Sequence, residues 1–223
     1  MDLAVCTSCW GDYGQYLPAW ASSIADQTVK PAQAVIADLG ITNRQHLRDA
    51  VDILTAAGIT TLTATDSYRG MGAARNYAVR HSTAEWVMHL DADDVLLPHA
   101  VADTAALAAE ADVVALGAVL GDGERCFPHV TRELILGRGF GCYSCSPFRR
   151  SLWERRPWHT RNDWIDSVFW VGLAHLGARF RGTVRPGFIY RQHPGSFSHR
   201  LSPVQRRAAA QQWKAACRQW SLT

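Results

Sequence analysis

The sequence predicts an α/β protein whose central sheet is mostly parallel, and three observations carry that reading. Short apolar runs that end at polar residues alternate with runs at helical spacing, the rhythm of βαβ units. The chain has 223 residues, enough for one domain with a proper core. No stretch of about 20 apolar residues interrupts the pattern, so no membrane span is expected.

Taken in order, residues 3–7 read as an apolar strand that breaks at Ser8, 17–26 as a helix, and 34–37 as a second strand ending at Asp38. Thr42 is expected to cap the next helix, where Leu47, Val51 and Leu54 recur at i, i+4 and i+7 as a packing stripe. A third strand is expected over 59–64 and a loop over 66–69. Gly70 and Gly72 then lead into a helix over 73–81. Residues 85–90 read as a buried strand, 98–110 as an alanine-rich helix and 112–120 as a further strand. A turn at Gly121 and Gly123 divides a first subregion, 1–123, from a second, 124–201. The second carries a short strand over 126–130, a glycine- and cysteine-rich segment over 137–150, a helical segment within 158–180 and a strand pair about Pro186 and Gly187. Residues 202–223 read as a basic final helix, opened by Ser202-Pro203, that could lie on a membrane or on nucleic acid but is expected to pack on the domain.

The net charge of +3 hides a split. Through Gly123 there are 6 Lys and Arg against 15 Asp and Glu; beyond it there are 17 against 5. One face for a cation and another for an anionic partner would explain this, as would arginines that only solubilise the surface. Among the six cysteines, Cys6/Cys9 and Cys142/Cys145 form two CxxC pairs, a possible zinc set, but free thiols in a reducing cytosol explain them more simply. The first residues, MDLAVCTSCW, lack the basic-then-apolar pattern of a signal peptide, so a cytoplasmic protein is expected.

The strand over 85–90 ends in Asp91-Ala92-Asp93-Asp94. Three carboxylates there repel unless a cation or strong donors sit among them. Continued strand alternation would aim Asp91 and Asp93 the same way, suiting oxygen ligation of Mg²⁺ or Mn²⁺. Helix capping accounts for only one of the three. Arg69 and Arg75, beside the glycine turn, are placed to meet a pyrophosphate, since a guanidinium fork matches phosphate oxygens. Asn76 is read as a support for local backbone.

The run from Gly70 to Pro98 resembles the central motif of family-2 glycosyltransferases, inverting nucleotide-sugar enzymes of the GT-A fold, and further segments match in order over about residues 3–199. The resemblance implies a metal-bound nucleotide diphosphate at the aspartates, with Asp93 on the metal, Asp91 in the ribose or metal shell and Asp94 in support. It also implies that Thr7 contacts the nucleoside and that Asp38 accepts from the base. That favours uracil, although Leu39 stands where the family has a second aspartate. The segment WIDSVFWVGLAHLGARF resembles the family's acceptor helix, which makes Asp166 the general base; Ile165 departs from the pattern, and Asp163 competes for the role or caps the helix. The tail from Tyr190 to Ser198 resembles one that folds over the nucleotide, making His193 a metal or pyrophosphate ligand with Arg191 beside it. Trp153, Trp158 and Trp164 are candidate floors for the acceptor pocket. The basic half suggests a polyanionic acceptor, such as modified DNA, a phosphorylated glycan or a lipid-linked phosphate. Two other classes stay open: a metal-dependent nucleotidyltransferase, disfavoured by the lack of a basic residue in Cys9-Trp10-Gly11-Asp12, and a non-catalytic nucleotide- or carbohydrate-binding module.

Overall fold

β1 (Leu3–Gly11) lies inside a nine-stranded sheet, in a computed structural model that describes residues 1–138, 141–160, 165–193, 204 and 211. Leu3, Val5 and Cys9 face a layer that contains Trp20, Ile24, Leu47 and Leu54. Ala4 and Cys6 face the opposite layer, with Ala74, Ala78, Phe169 and Trp170. Both faces are therefore covered, which is why this strand reads as a continuous apolar run.

A 3-10 turn (Asp12–Tyr16) and α1 (Leu17–Ala25) lead to β2 (Gln33–Ile41), and α2 (Arg44–Ala56) leads to β3 (Thr60–Thr65). α3 (Met71–Arg80) then carries the chain to β4 (Trp86–His89) on the other side of β1. All four strands are parallel, in the order β3-β2-β1-β4. The topological switch point falls between β1 and β4, and in such sheets ligands collect in the crevice beyond the strands' carboxyl ends there.

The second half extends the same sheet. After β4 come β5 (Val95–Leu96), α4 (Ala100–Leu107), β6 (Val113–Leu120), β7 (Arg125–Cys126) and α5 (Arg132–Arg138). β8 (Phe148–Arg149), α6 (Arg150–Arg155), α7 (Ile165–His175) and β9 (Phe180–Tyr190) follow. β8 lies antiparallel between β4 and β6, β9 runs parallel to β6, and β5 closes that edge against β9.

Several boundaries differ from expectation. β1 continues past Ser8, whose hydroxyl lies 3.4 Å from His89 Nε2, and its ladder to β2 runs on to Gly11 opposite Ile41. Asn43, not Thr42, caps α2 by accepting from the Gln45 amide (3.0 Å), while Thr42 donates to Asp12 (2.8 Å). The expected strand pair about Pro186 is one irregular strand: Thr183 Oγ1 accepts from the Gly117 amide at 3.1 Å where the register with β6 shifts. The helix expected over 202–223 falls outside the described residues apart from 204 and 211.

Cys6 and Cys9, three apart on one strand, project into opposite layers and share no ligand position. Cys6, Cys9, Cys126, Cys142 and Cys145 are free thiols, and burial pushes Cys6 and Cys9 up to about 12. Zinc does not fit this arrangement.

The two oppositely charged halves meet in ion pairs. Arg149 engages Glu85 and Asp112, Arg179 engages Asp112 at 3.0 Å, Arg181 faces Glu110 at 3.7 Å, and Arg185 joins Asp103 at 2.8 Å. Among the described residues, these four arginines of the second half are thus paired with first-half carboxylates. Hydrogen bonding from Arg179 holds the Asp112 carboxyl below the ordinary carboxylate range despite partial burial. A depressed folded value contributes stability above about pH 4 that is lost as pH falls through it. Asp112→Asn should therefore cost about 1 kcal/mol or less at pH 7, as for part-exposed pairs, and flatten the acid limb of the unfolding curve. An unchanged acid limb by denaturant titration would count against this role.

Candidate active site

β4 ends at His89, and Asp91 to Asp94 form a turn in which the Asp94 amide donates to the Asp91 carbonyl at 3.0 Å. Strand alternation therefore stops before the acidic motif, and the three carboxylates take separate partners. Asp91 accepts from Arg75 Nη2 on both oxygens (3.1 and 3.2 Å) and from Ser144 Oγ (3.0 Å), with His89 Nδ1 at 3.5 Å. Asp93 meets His193 Nε2 at 3.0 Å. Asp94, almost wholly buried, accepts from the Arg191 amide at 2.9 Å.

The electrostatics follow these partners. Burial pushes the Asp91 carboxyl up, but the Arg75 guanidinium, with help from His89 and Ser144, outweighs it and leaves it well below the usual range. Burial, and then the Asp91 charge, raise both Asp93 and Asp94. Strong donors thus neutralise Asp91, and the acidic excess is concentrated at Asp93 and Asp94.

Arg75, in the second turn of α3, is only 5% exposed and reaches two carboxylates at once, Asp91 and Asp166 in the first turn of α7. Both carboxylates keep about a third of their surface open. Burial pushes Asp166 up, Arg75 pulls it down and Asp91 adds to the rise, with a net raised value. Asp163 and Trp164 lie outside the described residues.

Local sequence explains how α3 presents Arg75. Gly70 starts the helix at φ 98°, a backbone state suited to glycine, and a Cβ on Gly72 would strike the His159 carbonyl. Asn76, one residue past Arg75, donates to the Trp158 carbonyl (2.8 Å) and accepts from Trp153 Nε1 (2.8 Å) and the Trp158 amide (3.0 Å). It supports backbone, as the sequence implied. Trp158 stacks on Phe169 with centroids 4.1 Å apart, and Trp153 is also buried, so both belong to the core rather than to an acceptor floor.

The remaining candidates divide. Thr7, on the face of Val5 and Cys9, is fully buried, and its hydroxyl finds no partner among the described residues. One Asp38 oxygen accepts from the Gly40 and Ile41 amides (3.1 and 2.9 Å), and the other faces Arg44, so this carboxylate shapes the end of β2. Arg69 is exposed, pairs with Asp66 at 3.2 Å and lines a cavity of about 170 Å³ with Leu39, Ala74 and Tyr77. The two arginines expected at a pyrophosphate thus occupy different settings.

His89, Ser144, Tyr13 and Tyr16 escaped the sequence reading. The Tyr13 and Tyr16 rings lie 5.8 and 5.3 Å from His193, and the Arg191 guanidinium sits 5.6 Å over Tyr16. A histidine inside the apolar run VMHL was the one local signal for His89; Ser144 had none.

A family model described as glycosyl transferase family 2 matches residues 13–181, and the chain belongs to that family. Its GT-A fold is matched by solved structures. S. aureus TarS 1-349 in complex with UDP-GlcNAc superposes with TM-score 0.77 at 17% identity, over 97% of this chain and 66% of that one. The mannosyltransferase PcManGT from Pyrobaculum calidifontis, in complex with GDP-Man and Mn2+, superposes with TM-score 0.70 at 18% identity, over 96% of this chain and 63% of that one. The chain therefore spans slightly under two thirds of these solved relatives. A search of curated proteins finds no match.

Asn76→Ala would leave the Trp158 amide, the Trp158 carbonyl and Trp153 Nε1 without their partner, at about 1–3 kcal/mol for each buried group left unsatisfied. A loss of at least about 2 kcal/mol in chemical denaturation is expected, and a neutral variant would show that α3 is not anchored through this side chain.

Proposed function

We propose that this chain transfers a sugar from a nucleoside-diphosphate donor, with a UDP-sugar favoured, to an acceptor hydroxyl, inverting the anomeric centre and using Mn²⁺ or Mg²⁺. The observation that supports it most is the meeting of Asp166 with the Asp91–Asp94 turn through one buried arginine at the sheet's switch point. A base candidate from the second half stands beside an acidic turn from the first.

The residues fit a hard divalent ion. Asp93 and His193 present oxygen and nitrogen donors 3.0 Å apart, and the crowded carboxylates at Asp93 and Asp94 favour positive charge. Among the described residues no group of three His, Cys, Asp or Glu side chains forms a closed cage. Such ions commonly take one or two carboxylates, with water and substrate phosphates completing the shell. When bound, the ion offsets charge that grows on the departing diphosphate. Asp91, in the same turn, would line the donor's ribose or the ion's shell.

The donor nucleoside belongs at the ends of β1 to β3, near Thr7 and Asp38. A carboxylate has about four lone-pair sites, so the Asp38 oxygen facing Arg44 keeps acceptor capacity for a uracil N3–H, and the half-exposed Arg44 can give way. Arg69 and Arg191 are the remaining guanidinium candidates for the phosphates. Asp166 takes the proton of the acceptor hydroxyl as its oxygen attacks the anomeric carbon opposite the leaving diphosphate, and its raised value suits a base. The solved relatives with UDP-GlcNAc and with GDP-Man and Mn2+ support the donor class. Among the described residues no helix is long and apolar enough to cross a membrane, and the free thiols fit a reducing cytoplasm. The internal ion pairs of Arg149, Arg179, Arg181 and Arg185 reduce the support for a polyanionic acceptor.

A panel of nucleotide sugars, with and without Mn²⁺, tests this through thermal stabilisation, slow donor hydrolysis and transfer. Stabilisation by one donor class that requires the ion is expected. Asp93→Asn should abolish the ion's effect, and Asp166→Asn should slow transfer about 10²–10⁴-fold. Release of pyrophosphate from a nucleoside triphosphate, or binding with no turnover in any condition, would replace the transferase reading. A retained anomeric configuration in the product would remove inversion, and transfer that falls steeply with salt would restore the polyanionic acceptor.

A further inference from the structure

We infer that Arg75 is a positioning residue that holds the Asp166 carboxylate in a set relation to Asp91, and that it does not bind the donor phosphates. This deepens the transferase reading and rests on it. Arg75 had been expected at the pyrophosphate, but both of its terminal nitrogens are committed. Nη1 engages Asp166, and Nη2 spans the two Asp91 oxygens at 3.1 and 3.2 Å. The side chain is 5% exposed, and its guanidinium carbon lies 5.9 Å from the Trp158 ring centroid.

A guanidinium is planar, with its donors in a fixed fork, so two carboxylates seated on its two ends are held in a fixed mutual arrangement. A lysine ammonium is a single point charge on a flexible stem and cannot impose that arrangement. The support on either side is equally built. Asn76 ties α3 to the Trp158 backbone, and Gly72 permits close approach to the His159 carbonyl. Ser144 donates at 3.0 Å to the Asp91 oxygen that lies 3.2 Å from Arg75. A continuous polar line, Ser144–Asp91–Arg75–Asp166, therefore crosses from the segment before β8 through the end of β4 to α7. It sets the base relative to the acidic turn before any substrate arrives, the kind of pre-organisation that raises effective concentration at the reacting centre.

The test is a double-mutant cycle with Arg75→Gln, Asp166→Asn and the double variant, plus Arg75→Lys. If Arg75 acts through Asp166, the double variant transfers sugar within about threefold of Asp166→Asn alone. Arg75→Lys should lower kcat with little change in donor KM, and the UDP–Mn²⁺ Kd by calorimetry should move by less than about tenfold. Losses that multiply in the double variant, or a UDP Kd weakened by about tenfold or more, would assign Arg75 to the phosphates and overturn the inference. Should the wild-type chain transfer no sugar at all, the functional reading fails separately, and the same four proteins then decide the coupling by denaturant midpoint. Shifts smaller in the double variant than the sum of the singles support the Arg75–Asp166 link; additive shifts overturn it.

Discussion

One buried guanidinium determines how this site can exist. Asp91 and Asp166 come from opposite halves of the chain, and at close range in a part-buried setting they would repel. Arg75 stands between them as a permanent cation, held charged by both carboxylates against the penalty of burial. Buried ion pairs seldom add net stability, because desolvation consumes the Coulombic gain. The return here lies in placement: removing the arginine would leave two poorly solvated carboxylates with no reason to stay together.

The rest of the fold can be read as support for that cation. The switch point between β1 and β4 opens the crevice, and α3 crosses beside it. Gly72 has no side chain, so the segment at His159 packs directly on the helix, and Asn76 closes the contact with three hydrogen bonds. The rings of Phe148 and Trp158 pack stacked and edge-on against Phe169 and Trp170 of α7. Trp153 and Trp158, which look like sugar platforms in the sequence, are buried packing here.

Charge distribution takes on a different meaning once the chain is folded. An acidic first half and an arginine-rich second half suggested two functional faces. Four of those arginines find partners across the division: Glu85, Asp103, Glu110 and Asp112 from the first half meet Arg149, Arg179, Arg181 and Arg185 from the second. Formal charge counted along a chain is silent about which charges neutralise one another, since that depends on strand order. Here β8 inserts between β4 and β6, and β9 beside β6 brings its arginines to the acidic residues that flank β6.

By itself the sequence determined the main strands and helices through β6, the parallel character of the first four strands, the family, and the acidic residues that follow β4, because these depend on local periodicity and on residue types at fixed short spacings. It also marked Asp166 and His193, whose neighbouring residues form recognisable segments. Only the tertiary structure decided that Asp91 belongs to Arg75 and Ser144, that Asp93 belongs to His193, and that Asp38 is engaged by its own loop and Arg44. Ser144 lies 53 residues from Asp91 and His193 100 residues from Asp93, and they meet where a strand has already given way to a turn. Alternation along a strand says nothing about direction beyond its last hydrogen-bonded residue, so the aim of each carboxylate was set by what the fold brought opposite it.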